Sequence, residues 1–213
     1  MRYLYMVPAM FKSSQGIGLL VITGLLASTT ALAQSSDKRF EAAAHLALAA
    51  SSEFDEADAG IGGRVAWNPF AGFGAEAEIT LYPRKYPDNV AFSRRRWEGF
   101  FGATIGPRLG RFRPFAKLRP GFVSYQEAPE PFACILIFPP PLACTLAGGR
   151  TVPAFDLGGG IDLTLTDRAF IRFDAGDRLL RYEGPVLDAN RTRHDDDFWT
   201  HEFRFSVGAG IRF

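Results

Sequence analysis

The sequence predicts an all-β fold: an eight-stranded antiparallel up-and-down transmembrane β-barrel, preceded by a cleaved signal peptide. Three observations predict it. Apolar and charged residues alternate with a period of two, short and long connections alternate along the chain, and aromatic residues lie at the strand ends. A period of two places successive side chains on opposite faces of a strand. Alternate short turns and long loops are typical of barrels that cross a membrane.

The composition is that of a folded protein with no strong net charge. The chain has 213 residues, of which 47% are hydrophobic and 22% are charged. The formal net charge is +1, from 24 basic and 23 acidic residues mixed along the chain. Because binding to nucleic acid relies on a basic field, this balance argues against a nucleic-acid partner.

The first 33 residues have the pattern of a signal peptide. Two basic residues precede an apolar run at 16–27, and Ala31, Leu32 and Ala33 form a small-residue cleavage site. An N-terminal membrane anchor is the alternative, but this run is shorter than the roughly 20 residues that a spanning helix needs. We therefore predict a signal peptide at 1–33 and a barrel domain at 34–213.

Eight runs in the predicted barrel domain show the period of two. In one of them Phe73, Ala75 and Ala77 share a face, and Glu76 and Glu78 lie on the other. The runs are 39–49, 59–67, 72–82, 97–109, 114–125, 152–165, 169–182 and 199–213. Short links at 68–71, 110–113 and 166–168 alternate with long ones at 50–58, 83–96, 126–151 and 183–198.

The same alternation suits a soluble barrel with an apolar inside or a membrane barrel with an apolar outside. In a soluble lipocalin-like barrel the charged face is solvated. The strand length, about 10 residues or more, and the aromatic residues at strand ends favour the membrane barrel. These aromatic residues are Trp67, Phe70, Phe73, Tyr82, Trp97, Phe101, Phe112, Phe122, Tyr125, Tyr182, Trp199 and Phe213.

The polar faces of the strands carry balanced charge. In a membrane barrel these faces line the interior, where acids and bases must pair because an unpaired charge away from water is costly. An eight-stranded barrel is just wide enough for its own side chains to fill, so we predict a plugged interior. The predicted interior charges are Glu41, Arg64, Glu76, Glu78, Glu98, Arg108, Lys117, Arg119, Asp156, Asp162, Arg172, Asp174, Arg178, Glu202, Arg204 and Arg212.

The last residues, "SVGAGIRF", resemble the C-terminal signal of bacterial outer-membrane barrels, with Ser206, Gly208, Ile211 and Phe213 at the characteristic positions. Together with eight strands, this resembles the small outer-membrane barrels of the OmpA transmembrane-domain and OmpX type. The resemblance implies the bacterial outer membrane as location and recognition of the last strand by the barrel-assembly machinery. It also implies outer-membrane lipid and lipopolysaccharide as surroundings, and we expect a monomer.

Two loops carry candidate contact residues. One loop carries Arg94, Arg95 and Arg96, which are candidates for contact with lipopolysaccharide phosphates because a guanidinium group can bind phosphate through two hydrogen bonds. The alternative is a solvated charged loop. Cys134 and Cys144 are the two cysteines of the chain, and in an exported protein they predict a disulfide. The apolar segment between them is either an adhesive or ligand-contacting element, or it folds over the barrel mouth or into the outer leaflet.

No residue pattern predicts catalysis. His45, His194 and His201 lack an evident serine and carboxylate constellation, and the His-x-Ser-Asn run of lipid A deacylases is missing. We therefore predict no catalytic, cofactor-binding or metal site. The predicted function is a non-enzymatic barrel that acts through its loops in surface interaction, adhesion or envelope integrity. A porin-like channel for small or hydrophobic compounds and a lipid A-modifying enzyme are the alternatives.

Overall fold

Strands dominate the structure, a computed structural model that describes residues 39–52, 57–70, 72–83, 95–127, 142–188 and 191–213. The predicted signal peptide lies outside these residues and stays a prediction. One short helix, α1 (Leu142–Ala147), accompanies the strands of the described chain. The strands are β1 (Phe40–Ser51), β2 (Ala57–Phe70), β3 (Phe73–Tyr82), β4 (Arg96–Ile105), β5 (Phe112–Tyr125), β6 (Arg150–Thr164), β7 (Ala169–Tyr182), β8 (Val186–Leu187), β9 (Arg193–His194) and β10 (Phe198–Arg212).

Eight of these strands form a closed antiparallel barrel in the order β1-β10-β7-β6-β5-β4-β3-β2. Sequence neighbours are barrel neighbours, except that β8 and β9 form a separate two-stranded hairpin between β7 and β10. The predicted eight-stranded up-and-down barrel is therefore confirmed. Closure leaves no sheet edge whose backbone groups would need partners within a bilayer.

The barrel closes where the last strand pairs with the first. The register of β1 and β10 runs from Glu41 opposite Arg212 to Ser51 opposite Glu202. Beyond it, the amide of Phe213 donates to the carbonyl of Phe40 at 2.9 Å, and the amide of Phe40 donates back at 3.0 Å. The two rings stack with centroids 6.3 Å apart. Phe213 thus completes the closing ladder.

Short and long connections lie at opposite ends of the barrel. We call the end with the links 71–72, 106–111 and 165–168 the turn end, and the end with the segments 52–56, 83–95, 126–149 and 183–197 the loop end. Gly72 and Gly110 have positive φ angles of 90° and 62° in two of the tight links, a conformation that glycine adopts without strain.

β4 ends four residues earlier than the sequence predicts. It stops at Ile105, before Gly106 and Pro107. Proline has no amide hydrogen and cannot donate to a strand ladder. Arg108 consequently lies exposed in the turn rather than inside the barrel, so its assignment to the interior is wrong.

The outer surface of the barrel is apolar and the inner surface is charged. This is the reverse of a soluble barrel and fits strands that cross a bilayer. Exposed outward side chains include Leu46, Leu48, Ile61, Val65, Ile79, Leu81, Phe101, Leu118, Phe155, Phe173, Phe203, Phe205 and Val207. Trp67, Phe112, Trp199 and Phe213 are exposed near strand ends, as predicted, whereas Tyr82 and Tyr182 point inward and are 1% and 2% exposed.

α1 and the hairpin of β8 and β9 lie at the loop end. Neither is predicted by the sequence analysis, because each is short and falls inside a long connection. No helix in the described part of the chain is long and apolar enough to span a membrane.

Candidate functional site

The interior holds equal numbers of acidic and basic side chains. Among the described residues, nine acids and nine bases are buried. Alternation along eight strands places all of them on the inner surface, which makes the barrel interior a candidate functional site. The acids are Glu41, Asp58, Glu76, Glu78, Glu98, Asp156, Asp162, Asp174 and Glu202, and the bases are Arg64, Arg96, Arg113, Lys117, Arg119, Arg172, Arg178, Arg204 and Arg212. We call this set the interior network.

At the loop end the interior network centres on Arg178. Its Nη1 donates to Glu98 Oε2 at 2.5 Å and to Glu202 Oε1 at 2.8 Å. The second oxygen of Glu202 accepts from Arg96 Nη1 at 2.6 Å. Arg96 Nε in turn lies 3.7 Å from Asp58 Oδ2. Each charge here has a partner of opposite sign within ion-pair distance.

Midway along the barrel, Arg119 joins three strands. Its Nη1 donates to Glu76 Oε1 at 2.8 Å and to Glu78 Oε2 at 3.0 Å, both on β3. Its Nε donates to Asp156 Oδ2 of β6 at 2.9 Å. Lys117 Nζ donates to the same Asp156 oxygen, also at 2.9 Å. Because guanidinium presents donors in a fixed fork, one arginine holds carboxylates from several directions.

Two arginines connect the middle of the interior network to its ends. Arg204 forms an ion pair with Glu78, and its Nε lies 3.8 Å from Glu98 Oε1 of the loop-end group. Arg172 Nη1 lies 3.1 Å from Glu76 Oε2 and 3.9 Å from Asp162 Oδ1 toward the turn end. The ion pairs therefore form one continuous path along the barrel.

At the turn end three arginines surround Glu41. Arg212 Nε donates to Glu41 Oε1 at 2.8 Å, and Arg64 and Arg113 lie 3.8 and 3.7 Å from its oxygens. Arg113 also lies 3.7 Å from Asp162 Oδ2. The interior network thus reaches from one end of the barrel to the other.

Aromatic rings pack among the charged side chains of the interior. The guanidinium of Arg172 lies 3.8 Å from the ring centroid of Phe115, and that of Arg212 lies 4.6 Å from that of Phe170, both in cation–π geometry. A cavity of about 10 Å³ lies beside His45. That volume holds about one water molecule. Its lining is Ala43, His45, Arg64, Glu78, Arg172, Ser206 and Gly208.

An apolar cluster covers the interior network at the loop end. α1 contributes Leu142 and Leu146, and β8 contributes Val186, to a buried cluster above the interior charges. Below them the hydroxyls of Tyr125 and Tyr182 share a hydrogen bond of 2.9 Å. We call this cluster the apolar cap. Its other members are Phe100, Val123, Val152, Ala154, Leu180, Tyr182 and Phe198.

The fold of the barrel is that of known outer-membrane barrels. Comparison with solved structures finds similarity to Neisserial surface protein A (NspA), with a TM-score of 0.52 and 12% identity over 82% of this chain and 96% of that chain. The chain has the fold of a small outer-membrane barrel. At this identity the likeness shows the fold alone. Comparison with protein-family models and with curated proteins finds no match.

Two further solved barrels are similar at lower scores. One is the N-terminal β-barrel domain of Pseudomonas aeruginosa OprF, with a TM-score of 0.47 and 11% identity over 81% of this chain and 97% of that chain. The other is Ail, the attachment invasion locus protein of Yersinia pestis, with a TM-score of 0.46 and 11% identity over 82% of this chain and 97% of that chain.

The structure places fifteen of the sixteen predicted interior charges inside this outer-membrane barrel fold, with Arg108 as the exception. It adds three that sequence reasoning missed, namely Asp58, Arg96 and Arg113. All three lie just outside the predicted strand limits. Continuing the period of two by one step beyond each predicted limit would have found all three.

Arg95 and Arg96, two of the three arginines predicted to contact lipopolysaccharide, do not lie on one exposed surface. Arg96 is buried in the interior network against Glu202, so its assignment to a lipopolysaccharide contact is wrong. Arg95 is exposed, and Arg94 lies outside the described residues. β4 begins at Arg96, whose side chain lies on the same inward face as that of Glu98.

The predicted disulfide stays a prediction, because Cys134 lies outside the described residues. Cys144 lies on α1 beside the leucines of the apolar cap. The residues predicted as an assembly signal, Ser206, Gly208 and Ile211, lie on β10, and Phe213 follows it in the closing pair.

The three histidines lie in separate places. His45 Nε2 contacts Thr80 Oγ1 at 2.9 Å and Arg204 Nη2 at 3.0 Å inside the barrel. Since guanidinium can only donate, this ring nitrogen is an acceptor and His45 is part of the interior's hydrogen bonding. His194 contacts Asp188 in the last loop, and His201 contacts Asp177 on the outer face. In the described part of the chain no group of three acids, histidines or cysteines is arranged to hold a metal ion.

Proposed function

We propose that this protein is a non-enzymatic barrel of the bacterial outer membrane, closed to solutes, whose loops act at the cell surface in adhesion or in envelope integrity. The observation that carries the proposal is the continuous interior network beneath the apolar cap. The barrel is the scaffold for the loops. The elements that do not belong to the barrel itself, α1 and the hairpin of β8 and β9, lie at its loop end.

Solute passage would require ion pairs to separate along the whole interior. Arg119, Arg178 and Arg204 are each 0% exposed and each contact at least two carboxylates. Separating a buried ion pair leaves charges with neither water nor a partner. Breaking one such pair costs about 3–5 kcal/mol. The ion pairs of the described interior do not favour a channel.

The orientation follows the asymmetry of the connections. Short links face the periplasm and long loops face outward in outer-membrane barrels, so we place the turn end in the periplasm and the loop end at the surface. The pairing of the last strand with the first supports recognition of Ser206, Gly208, Ile211 and Phe213 during assembly. Outer-membrane lipid and lipopolysaccharide are the proposed surroundings of a monomer.

The loop end combines exposed charge with a buried apolar cluster. The last loop carries Asp195 and Asp196 beside Arg193, all exposed, above the buried Val186 of the apolar cap. Polar groups that are held on a rigid, capped scaffold are suited to contact another surface, because little conformational freedom is lost on binding.

Surface display is tested with an epitope tag inserted at two places in the full chain. A tag after Asp196 should be accessible to antibody on intact cells, whereas a tag after Leu109 should become accessible only after the outer membrane is permeabilised. The second insertion is the matched control, since it lies in an exposed connection at the opposite end. Labelling of the Leu109 tag on intact cells would contradict the orientation.

The role of the loops is tested by replacing residues 188–196 with a Gly/Ser segment of equal length. We expect cells that carry this variant to lose attachment or to gain detergent sensitivity relative to wild-type cells, at equal barrel content in the membrane. If both properties match the wild type, the last loop does not act as proposed.

A further inference from the structure

Three exposed arginines occupy one side of the turn end. Arg108 and Arg111 lie in the link between β4 and β5, and Arg168 lies in the link between β6 and β7. The two links are neighbours, because Thr164 donates its amide to the carbonyl of Arg111 at 2.8 Å and β5 pairs with β6. We call these three residues the arginine rim.

The arginine rim carries an excess of positive charge. Asp167 is the acid present in the links 106–111 and 165–168. Within the described chain, no acid lies at ion-pair distance from the guanidinium of Arg108, Arg111 or Arg168. Three arginines of the loop end differ, because each forms an ion pair with a nearby acid. These pairs are Arg150–Glu183, Arg181–Asp197 and Arg193–Asp195.

An apolar ring lies directly beside the arginine rim. Leu109, Phe112 and Leu165 are 60%, 51% and 49% exposed and continue the outer apolar surface up to the turns. Phe213 adds an exposed ring where β10 ends. The guanidinium groups therefore lie at the level where the hydrocarbon of a bilayer gives way to headgroups. Phosphate is the anionic group at that level, and arginine binds it bidentately.

We propose that the arginine rim binds the phosphate groups of anionic phospholipids in the leaflet at the turn end. Three guanidinium groups against one nearby carboxylate favour lipids with net negative charge over zwitterionic ones. The apolar ring favours a lipid over free phosphate, because it places acyl chains beside the rim. This inference requires only that the barrel spans a bilayer, and it does not depend on whether the interior conducts or what the loops bind.

The test is native mass spectrometry of the full chain in detergent, titrated with phosphatidylglycerol or with phosphatidylcholine. The test variant combines Arg108→Gln, Arg111→Gln and Arg168→Gln. The matched control variant combines Arg150→Gln, Arg181→Gln and Arg193→Gln at the loop end. Each basic group near an anionic surface accounts for about a fivefold change in binding, so we expect the test variant to bind phosphatidylglycerol about a hundredfold more weakly.

Several outcomes would overturn the proposal. The control variant should bind phosphatidylglycerol like the wild type, and an equal loss in both variants would show that the rim has no special role. Wild-type protein that binds phosphatidylcholine as well as phosphatidylglycerol would also contradict it. Displacement of phosphatidylglycerol by inorganic phosphate at equal concentration would assign the rim to free anions instead. A circular dichroism spectrum of each variant verifies that the barrel is folded.

Discussion

Replacing Arg119 with methionine should lower the free energy of unfolding by about 3–5 kcal/mol, because it removes a buried positive charge that three carboxylates share and leaves the interior with an excess of negative charge. Arg119 is 0% exposed and contacts Glu76, Glu78 and Asp156. Lys117 lies against Asp156 but does not reach the two glutamates of β3 in the observed contacts. The measurement is equilibrium unfolding by guanidinium chloride of the barrel refolded into lipid vesicles.

Two control variants separate charge from packing at this site. Arg119→Lys keeps the charge and removes the fork, so we expect a smaller loss than for methionine. Leu118→Met changes the next residue, which faces outward and is 54% exposed, and should leave stability within about 1.5 kcal/mol of the wild type. A methionine variant as stable as wild type would mean that the interior network contributes little to stability.

Replacing Leu46 with arginine should lower the free energy of unfolding in lipid by about 2–4 kcal/mol, the cost of a charge at the bilayer midplane. Leu46 lies near the middle of β1, points outward and is 66% exposed in the isolated chain. In a soluble barrel such an exposed side chain would tolerate arginine with little change. The variant therefore distinguishes a lipid-facing surface from a water-facing one.

Ala50→Arg is the matched control for this experiment. Ala50 lies on the same outward face of β1, close to the loop end, where a charge reaches the headgroups and costs about 0–1 kcal/mol. Unfolding is measured in vesicles of one lipid composition for both variants. Equal stability of the Leu46 and Ala50 variants would contradict the position of the apolar surface in the bilayer.

The barrel could be predicted from sequence because one local property determines it. In β3, the alternation from Phe73 to Tyr82 shows the strand, its length and its inward face without any knowledge of its neighbours. The position of Glu76 and Glu78 inside follows from the same alternation once the apolar face is placed outward. Eight such runs and their alternate links then indicate the order of the barrel.

Strand ends were less predictable, and the errors in the interior network arise there. Arg96 and Arg113 lie at or near the first residue of a strand, where the period of two has only one neighbour to support it. Arg108 keeps the inward parity of β4 but follows Pro107, which ends the ladder. The period of two therefore assigns a residue to the inner or the outer face of the barrel only where the strand continues.

Contacts between distant segments could not be read from the sequence at all. The pair of Arg178 and Glu98 joins β7 to β4 across the interior, although the two residues are 80 positions apart in the chain. The apolar cap likewise depends on α1 meeting β8 above the barrel mouth. Composition predicts that such partners exist, because the charges balance, but the choice of partner depends on the three-dimensional register.

Single-channel conductance of the full barrel in a planar bilayer tests the closed interior most directly. Insertion is verified on the same preparation by protease protection, and a large porin serves as the positive control. With Arg178, Arg119 and Arg172 in their ion pairs, the inserted protein should show no discrete conductance steps. Reproducible steps from inserted protein would mean that a continuous aqueous path exists, and they would contradict a closed barrel.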